Sequence, residues 1–301
     1  MIRSIVAFVR LGRPLFLGGG FILFALGAAI AAATGHPIDI RRYALGQTVV
    51  TAFQLMTHYA NDYFDLEADR ANASPTRWSG GSRVLPDGEL PPIVALIAAI
   101  ALAAIGAVVA GVLAHDIGEL PAALLPTITL ALAWSYSAPP MRLCARGLGE
   151  LDTAIVVTAL VPAFAFYGQA PDLRGGDHVL LSIVPLALLQ FAMLLAIEFP
   201  DAAGDAATGK RTLVVRLGAR RAAKLYVAVT GAAYLWLPLA VAFGLPGRVA
   251  IAGLVPAPIA AYRVARIAEH ADPSAYERLT FAAVGLFVAT SAAELIAWAT
   301  I

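Results

Sequence analysis

The chain has 301 residues, of which 60% are hydrophobic and 14% charged, with a mean hydropathy of +0.78 and a net charge of +1. Soluble domains carry about a quarter charged residues, so this composition excludes one and indicates an all-α integral membrane protein embedded in the lipid bilayer. A single cysteine, Cys144, excludes an intrachain disulfide and any multi-cysteine metal site, and reads as a small buried residue. No basic run interleaved with aromatics points to nucleic acid.

Apolar runs of spanning length occur at nine places: 15–34, 43–60, 91–114, 120–136, 150–168, 178–200, 222–243, 248–264 and 281–301. The fourth and eighth are short and contain Pro126, Pro256 and Pro258, which spanning helices tolerate when neighbours satisfy the freed backbone groups. The first run also allows a cleaved signal peptide, since Arg3 and Arg10 precede it and Ala31-Ala32-Ala33 follows. Its length favours a span. With the N-terminus in the cytoplasm, 17 of the 21 Lys and Arg residues fall on the cytoplasmic side, as the positive-inside rule requires.

At the end of the second run stands Asn61-Asp62-Tyr63-Phe64-Asp65-Leu66-Glu67-Ala68-Asp69. Asp62, Asp65 and Asp69 are spaced three and then four apart, so on a continuing helix they share one face. Three like charges there repel, and a divalent cation such as Mg²⁺ relieves them, usually together with a substrate phosphate. A solvated acidic loop is the plainer alternative. The same spacing returns 136 residues later as Glu198, Asp201 and Asp205, again after an even-numbered span. The repeat suggests one domain of two duplicated halves, roughly 1–140 and 141–301. Six carboxylates at one border need about two Mg²⁺, and a diphosphate needs further cations. Lys210, Arg77 and Arg83 are placed to supply them, whereas Arg216, Arg220 and Arg221 read as topogenic. Gly80-Gly81 and Gly209 allow the backbone to approach an anion.

The fourth run ends Tyr136-Ser137-Ala138-Pro139-Pro140-Met141-Arg142, and the double proline stops the helix with Tyr136 at the membrane border. Tyr136 there is either an interfacial anchor or a site residue. His36, His115, His178 and His270 are scattered and form no metal site.

With these motifs the chain resembles the UbiA superfamily of intramembrane aromatic prenyltransferases. Asn61-Asp62-x-x-Asp65-x-x-x-Asp69 matches its first aspartate-rich motif. Asp201-x-x-x-Asp205, followed by Gly209-Lys210-Arg211-Thr212-Leu213, matches the second. The resemblance runs from Arg13-Pro14 to the last helix. It implies nine transmembrane helices around a central cavity, a cap of cytoplasmic loops carrying the motifs, and a bacterial or archaeal plasma membrane. Asn61-Asp62-Tyr63-Phe64-Asp65, Gly80-Gly81-Ser82-Arg83-Val84 and Arg146-Gly147-Leu148-Gly149-Glu150 look most like the 1,4-dihydroxy-2-naphthoate prenyltransferases of menaquinone synthesis, as does the Gly209-to-Gly218 run. Glu198-Phe199-Pro200 departs from that subfamily. Tyr136-Ser-Ala-Pro-Pro is shared with chlorophyll-synthase and homogentisate relatives.

The implied reaction transfers a polyprenyl group from its diphosphate to an aromatic acceptor. Asn61, Asp62, Asp65, Asp69, Asp201 and Asp205 are the expected metal ligands, with Glu198 on the same face. Tyr63, Phe64 or Tyr136 would steady the allylic cation. Gln54 and His58, two turns and one turn before Asp62, suit either acceptor contact or helix packing. Glu150 suits either a helix N-terminus or acceptor binding. Arg142 or Arg146 would meet the acceptor carboxylate. Two other readings compete. A transporter predicts carboxylates in mid-span, whereas here they cluster at span ends. A CDP-alcohol phosphotransferase predicts an Asp-Gly-x-x-Ala-Arg signature, which the chain lacks.

Overall fold

In the computed structural model, which describes residues 2–301, the chain is a helical bundle without strands among the described residues. The first helix, α1 (Ile2–Leu11), exposes Ile2, Ile5, Val6 and Val9 along one face and buries Ala7 and Leu11. An apolar stripe with arginines beside it suits a helix lying in the membrane surface. Arg13 then takes a left-handed backbone (φ 48, ψ 62), and Pro14 opens α2 (Pro14–Ala33) at the position where proline favours a helix start.

The carboxylate of Asp39 accepts hydrogen bonds from the backbone N–H groups of Arg41 and Arg42 at 2.9 and 3.1 Å, which caps α3 (Ile40–Phe64). A short helix, α4 (Leu66–Ala71), follows at once. After a long loop, α5 (Pro92–Ile117) and α6 (Leu120–Ser137) form an antiparallel pair joined through the left-handed Gly118. Pro139 and Pro140 end α6, as the sequence indicates.

The fifth span, α7 (Gly149–Gln169), is wound with wide i→i+5 turns over Ala154–Leu160 before Pro162. The sixth is α8 (Gly176–Ile197), followed by two short helices, α9 (Ala202–Ala207) and α10 (Leu213–Leu217). The bundle ends with α11 (Ala219–Ala242), α12 (Gly247–Ala265), which is broken at Pro256, and α13 (Tyr276–Ala299).

Nine long helices are thus present among the described residues, in the order expected. Eight are long and apolar enough to cross a membrane. The exception is α3, the second expected span, because Gln47, Thr51, Gln54, His58, Asn61 and Asp62 dilute its apolar character. Its polar side chains need no lipid contact: α3 packs among α2, α5 and α6, and Gln47 and Asp62 are buried. The lipid belt is carried instead by outer faces such as that of α5, where Ile93, Ile97, Ile100, Ile105, Val108 and Val112 are exposed. Helices approach closely at small residues. Gly27 of α2 lies against the Pro162 carbonyl of α7, where any Cβ would collide with backbone.

Candidate active site

The two acidic motifs lie at the same end of the bundle. The first is not on one continuous helix, contrary to the expectation: α3 stops at Phe64 and Asp65 occupies the joint with φ −99 and ψ 6. The joint preserves helical bonding, since the N–H of Asp65 donates to the Asn61 carbonyl and that of Asp69 to the Asp65 carbonyl, both at 2.9 Å. The motif therefore keeps its helical register across the joint. The second motif repeats the device, with Glu198 closing α8, Asp201 opening α9, and the Asp205 N–H donating to the Asp201 carbonyl at 2.9 Å.

Long-range contacts bring the motifs together. The Lys210 Nζ lies 2.9 Å from Asp65 Oδ2 and 3.4 Å from Asp205 Oδ1, so one ammonium bridges both. Asn72, just after α4, donates to Asp201 Oδ1 at 2.6 Å, and the Gly80 N–H donates to Asp201 Oδ2 at 3.2 Å. Arg13 forms an ion pair with Asp62 and donates to Asn61 Oδ1 at 3.0 Å. Asn61 donates to Asp65 Oδ2 at 2.7 Å and Ser137 Oγ at 3.0 Å. The Ser82 hydroxyl and N–H both donate to Asp62. The Arg142 guanidinium stands 3.8 Å from Asp65.

Among the described residues no three acidic, histidine or cysteine side chains converge tightly enough to hold a metal by themselves. Arg13 and Lys210 stand between them. Yet Asp65 Oδ1, Asp69 Oδ2 and Asp205 Oδ2 are buried with no hydrogen-bond partner. Buried carboxylate oxygens are normally satisfied, so these three are the atoms suited to a divalent cation. Burial, with Asp62 and Asp65 adding and Arg13 opposing, pushes Asp69 up to about 8. Burial and the neighbouring Asp205 push Asp201 up to about 6, and burial raises Asp205 as well. Burial works against the Lys210 ammonium, but Asp65 and Asp205 outweigh it and hold that group charged.

An apolar cavity of about 230 Å³ opens beneath the cluster, walled by α2, α3, α6, α7, α8 and α13. Arg13 and Asn61 form its roof, and Phe16, Trp78, Tyr136 and Phe287 present rings to it. Phe16 and Trp78 meet edge to face, their centroids 5.5 Å apart. A second, polar cavity of about 280 Å³ lies beyond Asp65, lined by Arg142, Gly209 and Lys210.

The remaining expected site residues divide. Gln54 and His58 line the apolar cavity, but their polar atoms hold the α1–α2 region: Gln54 donates to the Phe16 carbonyl and His58 Nδ1 meets the Gly12 carbonyl, both at 2.7 Å. Of the three aromatics expected at the allylic group, Tyr136 lines this cavity, whereas Tyr63 packs on Phe64, with centroids 5.0 Å apart. Successive helix positions point about 100° apart, so Tyr63 cannot share the face of Asp62. Arg83 donates to the Asp69 carbonyl at 2.5 Å and pairs with Asp87. Arg77 is exposed and reaches outward, its N–H donating to Glu277 at 2.9 Å. Arg146 binds the Pro140 carbonyl at 2.8 Å. Glu150 is fully buried, makes no capping bond, and faces Glu198. Burial and then Glu150 raise Glu198 well above the usual carboxylate range.

Arg13, Asn72 and Ser82 are the residues that sequence reasoning passed over, because each meets its carboxylate through the tertiary fold. The local signals were Arg13-Pro14 at the edge of the first span and Ser82 within Gly80-Gly81-Ser82-Arg83-Val84. Gly81 also proves structural, with φ +72 and a Cβ position that collides with the Asp69 carboxylate. Gly81→Ala is expected to destabilise the protein by about 1–2 kcal/mol from the left-handed backbone alone, read as a fall in Tm. An unchanged Tm would mean that the loop relaxes freely.

An acidic cluster seated over a largely apolar intramembrane chamber defines a membrane-embedded enzyme site in which charged groups act at the end of an apolar channel. The model of the UbiA prenyltransferase family matches residues 21–294, and the chain belongs to that family: it is a prenyltransferase. A digeranylgeranylglyceryl phosphate synthase of Halobacterium salinarum is 34% identical over 278 residues, 90% of each chain. The 1,4-dihydroxy-2-naphthoate octaprenyltransferase of Bacillus subtilis is 25% identical over 229 residues, 76% of this chain and 71% of that one. A solved UbiA homologue from Archaeoglobus fulgidus bound to GPP and Mg²⁺ shares the fold with a TM-score of 0.66 at 15% identity, over 98% of this chain and 100% of that one.

Proposed function

We propose that this enzyme transfers a polyprenyl group from polyprenyl diphosphate to 1,4-dihydroxy-2-naphthoate in a Mg²⁺-dependent reaction at the cytoplasmic border of the membrane. The observation that carries this reading is the junction of the two acidic motifs, bridged by Lys210, above an apolar cavity. Asp65, Asp69, Asp201 and Asp205, with Asp62 and Asn61 beside them, would hold two Mg²⁺. The A. fulgidus homologue with GPP and Mg²⁺ supports that metal. Bound Mg²⁺ supplies positive charge against the leaving diphosphate.

The chain's own residues do the rest. Lys210 and Arg142 border the polar cavity where a diphosphate fits, and add charge-assisted hydrogen bonds. Phe16, Trp78 and Tyr136 turn ring faces or edges toward the prenyl end, where a ring face steadies a developing allylic cation. The apolar walls exclude water that would capture that cation. The halves read as a duplication, since α4 at 66–71 and α9 at 202–207 stand 136 residues apart, the same offset as the motifs.

Ring-lined walls beside a cationic roof suit a planar aromatic anion, and the B. subtilis relative supports the naphthoate. A glyceryl phosphate acceptor is the second reading, favoured by the higher identity and coverage of the H. salinarum relative. The test is an assay on purified protein with geranylgeranyl diphosphate and either acceptor, with and without Mg²⁺. Mg²⁺-dependent product from the naphthoate alone upholds the first reading, and product from geranylgeranylglyceryl phosphate alone replaces it with the second. Metal ligands must lose their protons to bind. With Asp201 at about 6 and Asp69 at about 8, the Mg²⁺ concentration for half-maximal activity is expected to fall as pH rises between those values. A Mg²⁺ requirement identical at both ends of that range would remove these two residues from the metal site.

A further inference from the structure

Two buried polar groups of the apolar cavity take no part in the roles assigned above. Asp152 stands one turn into α7, and Gln190 lies in the second half of α8. Each is 5% or so exposed: 5% for Asp152 and 5% for Gln190. Both line the cavity, and neither Asp152 Oδ1 nor Gln190 Oε1 has a hydrogen-bond partner among the described residues. Of the donors lining the same cavity, Gln54 is engaged with the Phe16 carbonyl and Arg13 Nη2 with Asp62 and Asn61, while Arg13 Nε and Trp78 Nε1 are themselves unpartnered among the described residues and so bond neither acceptor.

An unpaired buried acceptor costs about 1–3 kcal/mol, so two of them on one cavity wall are a standing expense that a ligand with matching donors removes. Both atoms accept hydrogen bonds, which selects the ligand's chemistry. A carboxylate or phosphate would be repelled by Asp152, whereas a hydroxyl would be bound. The cationic Arg13 forms the roof of the same cavity. The polarity of the chamber thus runs from a cation at the border to hydrogen-bond acceptors on its wall.

We propose that Asp152 and Gln190 form the acceptor subsite, receiving the hydroxyl hydrogens of the molecule to be prenylated while its anionic group points toward Arg13. Two acceptor oxygens from the packed helices α7 and α8 suit a ligand with two hydroxyl donors, the class to which the proposed dihydroxynaphthoate belongs. This rests on the prenyl-transfer reading for its biological meaning, but the binding it describes is measurable without transfer. The wide turn that begins at Ala154, two residues after Asp152, is the kind of helix irregularity that often accompanies a functional residue.

The experiment is a binding titration on the purified full chain in detergent, under anaerobic conditions and without prenyl diphosphate. The probes are 1,4-dihydroxy-2-naphthoate and 1,4-dimethoxy-2-naphthoate, which share a ring and a carboxylate but differ in hydroxyl donors. The unaltered protein is expected to bind the dihydroxy compound about tenfold tighter or more, the worth of one or two hydrogen bonds. Asp152→Leu and Gln190→Leu are each expected to reduce that preference severalfold, and Asp152→Asn, which keeps an acceptor oxygen, to retain part of it. Removing an unpaired buried carboxyl is also expected to raise Tm in Asp152→Leu, whereas a merely structural carboxyl would lower it. Equal affinity for both probes in the unaltered protein would overturn the subsite, as would an undiminished preference in Asp152→Leu. Should that variant fail to fold, Gln190→Leu and Asp152→Asn decide by the same comparison. A hydroxyl preference in a protein that prenylates no acceptor would uphold the subsite and refute the transfer reading, so the two failures are distinct.

Discussion

Asp65→Asn and Asp201→Asn are each expected to lower kcat for prenyl transfer by about 10³-fold, the upper range for loss of a preorganised charge-stabilising group, while leaving the bundle folded. The two substitutions act on different motifs that meet in space. Asp65 sits at the α3–α4 joint under Lys210, and Asp201 opens α9 beneath Asn72 and Gly80. An amide keeps the size and one acceptor oxygen of each side chain but removes the charge that a divalent cation needs. The helices themselves do not depend on that charge, because the backbone bonds through Asp65 and Asp201 to Asp69 and Asp205 are unaffected. The check is a Mg²⁺-supplemented transfer assay beside a thermal melt in detergent. Full turnover in both variants would remove the acidic motifs from the chemistry, and loss of fold in both would make their role structural.

Lys210→Met carries the second large effect, and its expected signature is a loss that Mg²⁺ partly repairs. Among the described residues the ammonium is the one group whose ion pairs reach carboxylates of both motifs. Its removal leaves Asp65 and Asp205 buried without their counter-charge, and breaking one partner of such a pair costs about 3–5 kcal/mol. Tm measured without divalent cation is therefore expected to fall markedly. Added Mg²⁺ replaces the missing charge and is expected to recover most of that fall, since binding to the folded state stabilises it by mass action. Activity is not expected to recover with it, because Lys210 also contributes a donor at the polar cavity. A Tm that ignores Mg²⁺ in this variant would show that the carboxylates do not bind the ion.

Much of this site was legible before any folding was considered, because its signals are local. A three-then-four spacing of carboxylates is a statement about one helix face, and its backbone register persists through the joint where α3 ends in the middle of the first motif. The offset of 136 residues returned in the short helices after each motif. Other placements follow only from the fold. Arg77 follows the motif in sequence, but its loop turns outward and its N–H donates to Glu277. Glu198 shares the spacing of Asp201 and Asp205, and it closes α8 facing the buried Glu150, with Asp205 near enough to raise it as well. The second span is too polar to pass as a membrane helix, because the polar side chains it needs for the site face inward, where lipid does not reach.

By itself the sequence determined the membrane class, the all-helical fold, the order of the long helices and the two acidic motifs. Each of these follows from hydrophobic run length, local spacing or backbone chemistry within about ten to twenty residues. Only the tertiary structure decided what lies opposite each carboxylate: Arg13 against Asp62, Lys210 across Asp65 and Asp205, and Asn72 against Asp201. Only it placed Asp152 and Gln190 on one cavity wall. Partners separated by tens to hundreds of residues leave no periodic trace in a chain; they meet because packed helices allow few arrangements and burial makes an unpaired charge expensive to keep.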